Sequence, residues 1–579
     1  MMSPSLFSEP WQIALLSLVP GLPLLVAGLM VVKPWQGVGV RLAPWSALAA
    51  LGAALFLQPG INLEVTWFFM GGRMGIDFLG QRFLLLAALV WMIAAFYGRV
   101  YLRADPRRRW FFFFFLVSMA FNFGLILAQD MLGFYLFFGL MSFSAYGLIV
   151  HTGSREARLA GKVYIILVMV GEVLLFSGMA LLAGRLPDLE LATIAAAGPD
   201  NLVLVLLFVG FAIKAGALPL HVWLPLAHPV APAPASAVLS GVMIKAGLLG
   251  WLRFLPMGPE MARTDWGAFF VVMGVAATFY GVALGLLQRQ AKTILAYSSI
   301  SQMGVMTMVV GCGLLAPEQW PRVVDGVSLF ALHHGLAKAA LFLGLGLLTR
   351  AGVGRQRGLL LGLLLLPSLA LAGLPLTSGA LAKFAVKEMI HGLPAPWAGG
   401  LGLFMGLSAL ATVLLLGHFL KKAAGERAGG QPLTAGLLLP WFALLAAVAG
   451  LLWCWPQPPA YAGHLAEWAV YWQGVWPVLG GAMLLLVVWK GWPQATGLSV
   501  PAGDILWLVA GRGRGVSLAG GGLVRPWASA RLAAAQARWG ALLPEAGRAL
   551  EKRFMRWAVV GGCYLVLCLG LVLLWWRGW

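Results

Sequence analysis

Residues 202–226 read LVLVLLFVGFAIKAGALPLHVWLPL, an apolar run holding one charge, Lys214, and a proline, Pro219, past its middle. A helix crossing a ~30 Å hydrocarbon core needs about 20 such residues. A proline inside it removes an amide donor and crowds the preceding turn, so the helix must break there. Comparable runs recur near 11–32, 40–58, 78–98, 110–128, 130–151, 160–184, 235–256, 266–288, 292–313, 326–349, 358–393, 398–420, 433–456, 466–489 and 556–577. Of 579 residues, 61% are hydrophobic and 10% charged, with 26 Trp and 32 Phe. Soluble chains carry about 25% charged residues. The expectation is an all-α polytopic membrane protein of about 16 transmembrane helices.

Loop charges test that count. Basic residues gather at Lys33/Arg41, Arg103 with Arg107 to Arg109, Arg155/Arg158/Lys162, Arg289/Lys292, Arg350/Arg355/Arg357 and Lys421/Lys422/Arg427. The alternate loops are mixed or acidic: Asp188/Glu190/Asp200, Glu260/Arg263/Asp265 and Glu318/Arg322/Asp325. The alternation never slips, which puts the basic loops in the cytoplasm and both termini on the outer face of a cell's inner membrane. The first span, lacking a basic lead and a small-residue cleavage site, is expected to be retained.

The net charge of +20 does not point to nucleic acid, because the basic residues sit in short loops where anionic lipid is the expected partner. Residues 500–555, with Gly511-Arg512-Gly513-Arg514-Gly515 and then Arg525, Arg531, Arg538, Arg548, Lys552 and Arg553, read as a basic amphipathic segment on the cytoplasmic side before a last span. Cys312, Cys454, Cys563 and Cys568 form no CxxC pair, which argues against an iron–sulfur or structural zinc site. Neither a Walker sequence nor a strand-borne GxGxxG occurs. No cofactor or metal is expected in this chain.

The break in 202–226 has a counterpart. Ala215-Gly-Ala-Leu-Pro-Leu recurs as Ala372-Gly-Leu-Pro-Leu, five spans later, so the two copies run in opposite directions. Inverted repeats with proline-broken helices free backbone groups near the midplane, where they solvate an ion or a water chain.

Ionisable residues inside the spans mark the same region. A mid-helix charge costs about 2.5–3.5 kcal/mol on insertion scales, so each needs a partner or a water path. Glu172, Lys214 and Lys245 fall about halfway through the sixth, seventh and eighth spans, at similar depth. His334 and Lys338, four apart, share one face of the eleventh beside His333. Lys383 follows the break near Pro375. Desolvation weakens a lysine's hold on its proton and a nearby carboxylate restores it. These residues therefore suit a lateral chain of proton sites. Lys387, Glu388, His464 and Glu467 read as outer-surface groups, and His151 and His418 as interfacial ones.

The stretch Lys214-Ala-Gly-Ala-Leu-Pro-Leu-His221-Val-Trp223-Leu-Pro-Leu-Ala-His228, then Ala231-Pro-Ala-Pro-Ala-Ser236-Ala-Val-Leu-Ser240-Gly and Lys245, resembles the signature of antiporter-like proton-translocating subunits. That family spans respiratory complex I, Mrp-type cation/proton antiporters and the membrane arms of group 4 hydrogenases. Lys292-Thr-Ile-Leu-Ala-Tyr297-Ser298-Ser-Ile-Ser301-Gln302, His334 with Lys338, and Leu374-Pro375-Leu-Thr-Ser378-Gly379 with Lys383 extend the likeness over roughly 75–420. The tail looks most like that of the hydrogenase-type large subunits.

The resemblance implies two inverted five-helix bundles, each with a broken helix. It also implies a hydrated Lys/His/Glu axis, and support from His221, His228, His333, Pro219 and Pro375. The expected division is 1–105 N-terminal helices, 106–256 and 257–420 the two bundles, 421–499 peripheral helices, 500–555 the basic segment and 556–579 a terminal span. One departure stands out. The family's fifth-span glutamate, about nine residues beyond an Asp such as Asp130, is replaced by Gly139. Glu172, on the neighbouring antiparallel helix, is expected to supply that charge to Lys214.

The function expected is a proton- or cation/proton-translocating membrane subunit of a complex I-like or group 4 hydrogenase-like assembly. It would carry no redox or hydrolytic site of its own, and would be joined to other membrane-arm subunits and a peripheral redox or soluble module. Two alternatives stay open: the membrane subunit of a proton-gradient-driven dissolved inorganic carbon uptake complex, and a non-transporting scaffold.

Overall fold

A backbone in hydrocarbon must satisfy its own hydrogen bonds, and the apolar runs do so as helices. The computed structural model of the chain describes residues 9–65, 72–196, 198–255, 263–395, 397–455, 468–491 and 500–505. The chain divides into residues 1–503 and 504–579, and of the second unit only 504–505 are described.

The first unit opens with α1 (Glu9–Leu29), α2 (Gln36–Leu42) and α3 (Leu48–Phe56), followed by the hairpin β1 (Ile61–Val65) and β2 (Gly72–Ile76). Then come α4 (Phe78–Tyr101), α5 (Arg108–Leu127), α6 (Met131–Ile149), α7 (Arg155–Ala183) and the short α8 (Leu191–Ala196). The first broken helix is α9 (Asn201–Ala215) with α10 (Trp223–Val230). Beyond it lie α11 (Ala233–Val238), a π-helical turn (Leu239–Met243) and α12 (Lys245–Phe254). The second half continues with α13 (Thr264–Leu286), α14 (Ala291–Leu315) and α15 (Trp320–Arg350). The second broken helix is α16 (Arg355–Ala372) with α17 (Ser378–His391), and α18 (Trp397–Ala424), α19 (Ala435–Cys454) and α20 (Trp468–Gly491) follow.

Among the described residues, thirteen helical segments are long and apolar enough to cross a membrane, or fourteen with the bent pair Lys33–Leu42 and Trp45–Phe56 taken as one span. The expected span at 466–489 is found as α20, whose apolar core Tyr471–Val487 is shorter. The expected span at 556–577, residues 506–555 of the basic segment, and His464 and Glu467 lie outside the described residues.

Helix starts carry their own donors' partners. Asp77, Asp130, Ser154 and Asp200 each accept from the amide three residues on, at 2.6, 2.6, 3.0 and 2.9 Å. Polar contacts gather the alternate loops at opposite ends. At one end Arg73 pairs with Glu64 (3.1 Å) and Glu190 (2.5 Å), its amide donates to Asp130 (2.8 Å), and Arg253 reaches Asp77 (3.1 Å). At that same end Arg82 pairs with Asp325, and Arg263 donates to Pro199 O at 2.8 Å. At the other end His151 meets Asp105 at 2.9 Å, Arg350 donates to Tyr101 O at 2.8 Å, and Lys292 donates to Ala231 O at 2.6 Å.

Helices α13 and α14 pack backbone against backbone. A Cβ on Gly274 would stand 2.5 Å from Gly304 O, and one on Gly281 would stand 2.8 Å from Tyr297 O. Without a hydrophobic force between helices in lipid, such backbone-to-backbone contact is how they bind.

Candidate functional site

The two breaks are built alike. At the first, Gly216 takes φ +71° and the amide of Ala217 donates back to Ala212 O at 3.0 Å. At the second, Gly373 takes φ +84° and Leu374 donates back to Leu369 O at 3.1 Å. Each is a left-handed glycine closing a helix with a bond spanning five residues, the conformation that glycine alone adopts without strain. One further carbonyl at each end is met by a side chain: Trp223 Nε1 donates to Ile213 O (2.7 Å), and Lys383 Nζ donates to Ala372 O (2.7 Å).

Lys214 lies one turn before the first break and is buried, 2% exposed. Its Nζ donates to Tyr164 Oη at 3.0 Å, and that hydroxyl donates onward to Ser142 O at 2.8 Å. Glu172, 7% exposed, lies two turns further along α7. A Cβ added to Gly139 would stand 3.1 Å from Glu172 Oε2, so the carboxylate fills the space that a side chain at 139 would need. That oxygen is buried with no hydrogen-bond partner among the described residues. Glu172 and Lys214 lie within electrostatic reach, yet among the described residues no carboxylate stands within 4.0 Å of Lys214 Nζ.

Lys245 opens α12 directly after the π-helical turn. Its Nζ donates to Ser240 O at 2.7 Å, and Ser240 Oγ meets Ser299 Oγ at 2.8 Å. Ser299 Oγ donates to Leu295 O at 3.1 Å, and Lys338 Nζ donates to the same carbonyl at 3.0 Å. Polar contacts thus step from Lys245 across α14 to Lys338 on α15, changing at Ser240 from its carbonyl to its hydroxyl and meeting at Leu295 O, which accepts from both sides. Close backbone approach makes it feasible: a Cβ on Gly241 would lie 3.0 Å from Gly335 O. His334, one turn from Lys338, is fully buried, and neither of its ring nitrogens has a partner among the described residues. Ser298 Oγ, Ser301 Oγ and Gln302 Oε1 on α14 are buried in the same way. Unpaired polar atoms are rare in protein interiors, and such a concentration fits a wetted corridor.

His333 Nδ1 meets Ser378 Oγ at 2.9 Å, at the start of α17, one turn before Lys383. The second break therefore gathers His333, Ser378, Lys383 and the Ala372 carbonyl. Between Lys214 and Lys245 there is no hydrogen bond among the described residues, although α9 and α12 touch where a Cβ on Gly247 would lie 2.6 Å from Ala215 N.

The profile described as "NADH:quinone oxidoreductase/Mrp antiporter, TM" matches residues 128–407. NADH-quinone oxidoreductase subunit M of Rhodobacter capsulatus is 31% identical over 415 residues, 64% of this chain and 79% of its own length. The chain belongs to the NADH:quinone oxidoreductase/Mrp antiporter membrane-subunit family. Hydrogenase-4 component B of Escherichia coli is 29% identical over 289 residues, which are 47% of this chain and 42% of the relative. Among solved structures, an Mrp complex from a Dietzia species superposes with TM-score 0.66 at 20% identity, over 82% of this chain and 98% of that one. An archaeal membrane-bound sulfane sulfur reductase gives 0.65 at 19% identity, covering 83% and 99%. These two likenesses carry the fold. The chain is a multi-pass antiporter-like membrane subunit in this family's sense.

Within the family's frame, the supporting residues divide. His228 is fully buried, stacked on the Phe342 ring at 4.7 Å, with both nitrogens lacking a partner among the described residues. His221 is buried edge-on to the Tyr280 ring at 5.2 Å. Pro219 follows a cis peptide in the first break, and Pro375 lies in the second. Lys387 donates to Gln473 Oε1 at 3.3 Å beside exposed Glu388, and His418 binds Gln288 O at 2.9 Å, so these stay outside the axis. Sequence reasoning did not find Tyr164, Ser240 or Ser299. Ser240 and Ser299 lie inside the quoted family-like stretches without a role having been assigned to them, and Tyr164 showed only a polar side chain inside an apolar run, which tyrosine supplies too often to single out.

Proposed function

We propose that the chain translocates protons, or exchanges a cation for protons, as a membrane subunit of a complex I-like or group 4 hydrogenase-like assembly. Glu172, Lys214, Lys245, His334, Lys338 and Lys383 carry the charge. The close series of buried polar groups from Lys245 by Ser240 and Ser299 to Leu295 O and Lys338 is the observation that carries the reading. Buried lysines set among hydroxyls and carbonyls are costly to keep in a membrane interior unless they are used. A charge moving in a neighbouring subunit would alter how strongly Glu172 and Lys214 hold each other, and the proton would pass laterally toward the second break. The basic ends of the bundle face the cytoplasm, where they also meet anionic lipid. The chemistry that drives the movement belongs to partners, with no redox cofactor held by this chain.

The test is proton flux in membrane vesicles carrying the intact assembly. Lys338→Ala and Glu172→Gln should each abolish coupled flux while the assembly still purifies whole. Wild-type flux in both variants would overturn the reading and leave a scaffold. Purification of the assembly also decides the inorganic-carbon alternative, which requires a zinc-bearing carbonic-anhydrase-like partner in place of redox subunits.

A further inference from the structure

Lys214 has its hydrogen bond on a tyrosine, while the nearby buried Glu172 carboxylate has an oxygen with none among the described residues. Tyr164 and Glu172 stand on the same helix, α7, and both face α6. The Tyr164 hydroxyl is anchored at Ser142 O (2.8 Å), and the Glu172 carboxylate lies over Gly139. The two seats stand beside positions three residues apart on α6, about 4.5 Å of helical rise, and belong to residues eight apart on α7, about 12 Å. Passing from one to the other takes a full swing of the lysine side chain through its rotamers.

The two neighbours differ in chemistry. A carboxylate selects the ammonium form, whereas a phenol oxygen accepts an N–H from amine and ammonium alike. The phenol proton is committed to Ser142 O, so Tyr164 offers Lys214 a lone pair and does not compete for its proton. Packing fixes the ring: Tyr164 is 1% exposed and lies 5.1 Å from the Trp223 ring, whose indole in turn closes the end of α9.

We propose that Tyr164 is a positioning residue that gives Lys214 a second seat, so that the lysine alternates between the phenol oxygen and the Glu172 carboxylate. This rests on the proton-relay reading above and adds the element that lets the Lys214–Glu172 pair open without leaving the lysine unpaired in a dry interior. In the seat seen here the pair is open. With the lysine on Glu172, the pair is closed and the phenol keeps its bond to Ser142.

The experiment compares Tyr164→Phe and 3-fluorotyrosine at position 164 with the wild type, in vesicles carrying the intact assembly. The readouts are proton flux across a pH series and the position of Lys214 in the assembly's structure. Phe keeps the ring packing and removes the acceptor. Fluorotyrosine keeps the shape and changes only the hydroxyl's acidity. Tyr164→Phe should lower flux about tenfold or more, the scale of one hydrogen bond to a charged group. It should also bring Lys214 Nζ onto Glu172, and fluorotyrosine should displace the pH profile. Wild-type flux and profile in both, with Lys214→Ala inactive, would overturn the second seat and leave the relay standing. Wild-type flux in Lys214→Ala would overturn the relay itself. Should Tyr164→Phe fail to assemble, an unchanged fluorotyrosine profile alone refutes the seat.

Discussion

At the scale of single residues, Gly139 and Glu172 are one fact seen from two helices. A carboxylate on α7 occupies the space a side chain on α6 would fill, at 3.1 Å from its first carbon. Gly139→Glu should therefore force two carboxylates into one space, with like-charge repulsion, and lower flux. Gly139→Glu combined with Glu172→Gly keeps one carboxylate at that point and should recover flux, measured in the same vesicles; equal loss in both would refute the exchange. Outside the membrane core, His151 supplies a pH dependence. Burial holds it below the ordinary 6.5, against the opposing pull of the Asp105 bond at 2.9 Å. The fold thus favours the neutral ring and the unfolded chain binds more protons. Stability from this group is full above about pH 6.5 and falls below it. His151→Phe should flatten the dependence of the melting temperature between about pH 7.5 and 5.5.

At the scale of elements, the breaks were legible and the hydroxyl bridge was not. A repeated Ala-Gly-(Ala)-Leu-Pro-Leu forecasts both interruptions because proline and left-handed glycine have few other uses inside an apolar run. Lys245 and Lys338 were legible as costly charges. What joins them depends on a π-helical turn at Leu239–Met243 and on a glycine-to-glycine crossing, and neither has a periodic signature. The hairpin β1–β2 was missed for a similar reason, its five-residue strands being short enough to pass for loop. The α13–α14 seam is a separate test. Gly274→Ala would drive a methyl against the Gly304 carbonyl, and overpacking of this kind costs about 1–3 kcal/mol. A lowered melting temperature in detergent, without change in flux per assembled complex, is the expected result.

At the scale of the molecule, the loop charges predicted an alternation, and the contacts at the two ends of the bundle follow it. Asp188 lies toward the end where Arg263 binds Pro199 O, while Arg289 follows α13 at its far end. Both positions are exposed. A membrane-impermeant thiol reagent should label Asp188→Cys in right-side-out vesicles and Arg289→Cys only in inverted ones. The reverse pattern would invert the proposed orientation.

The second break has a mechanical side. Lys383, a charge carrier in the proposed relay, also closes the end of α16 through Ala372 O at 2.7 Å. Drawing its amine away strands that carbonyl, at about 1–3 kcal/mol for a buried acceptor left bare. In the proposed relay the backbone therefore acts as a return spring on its last lysine: each outward excursion is uphill, and recoil is built into the hinge.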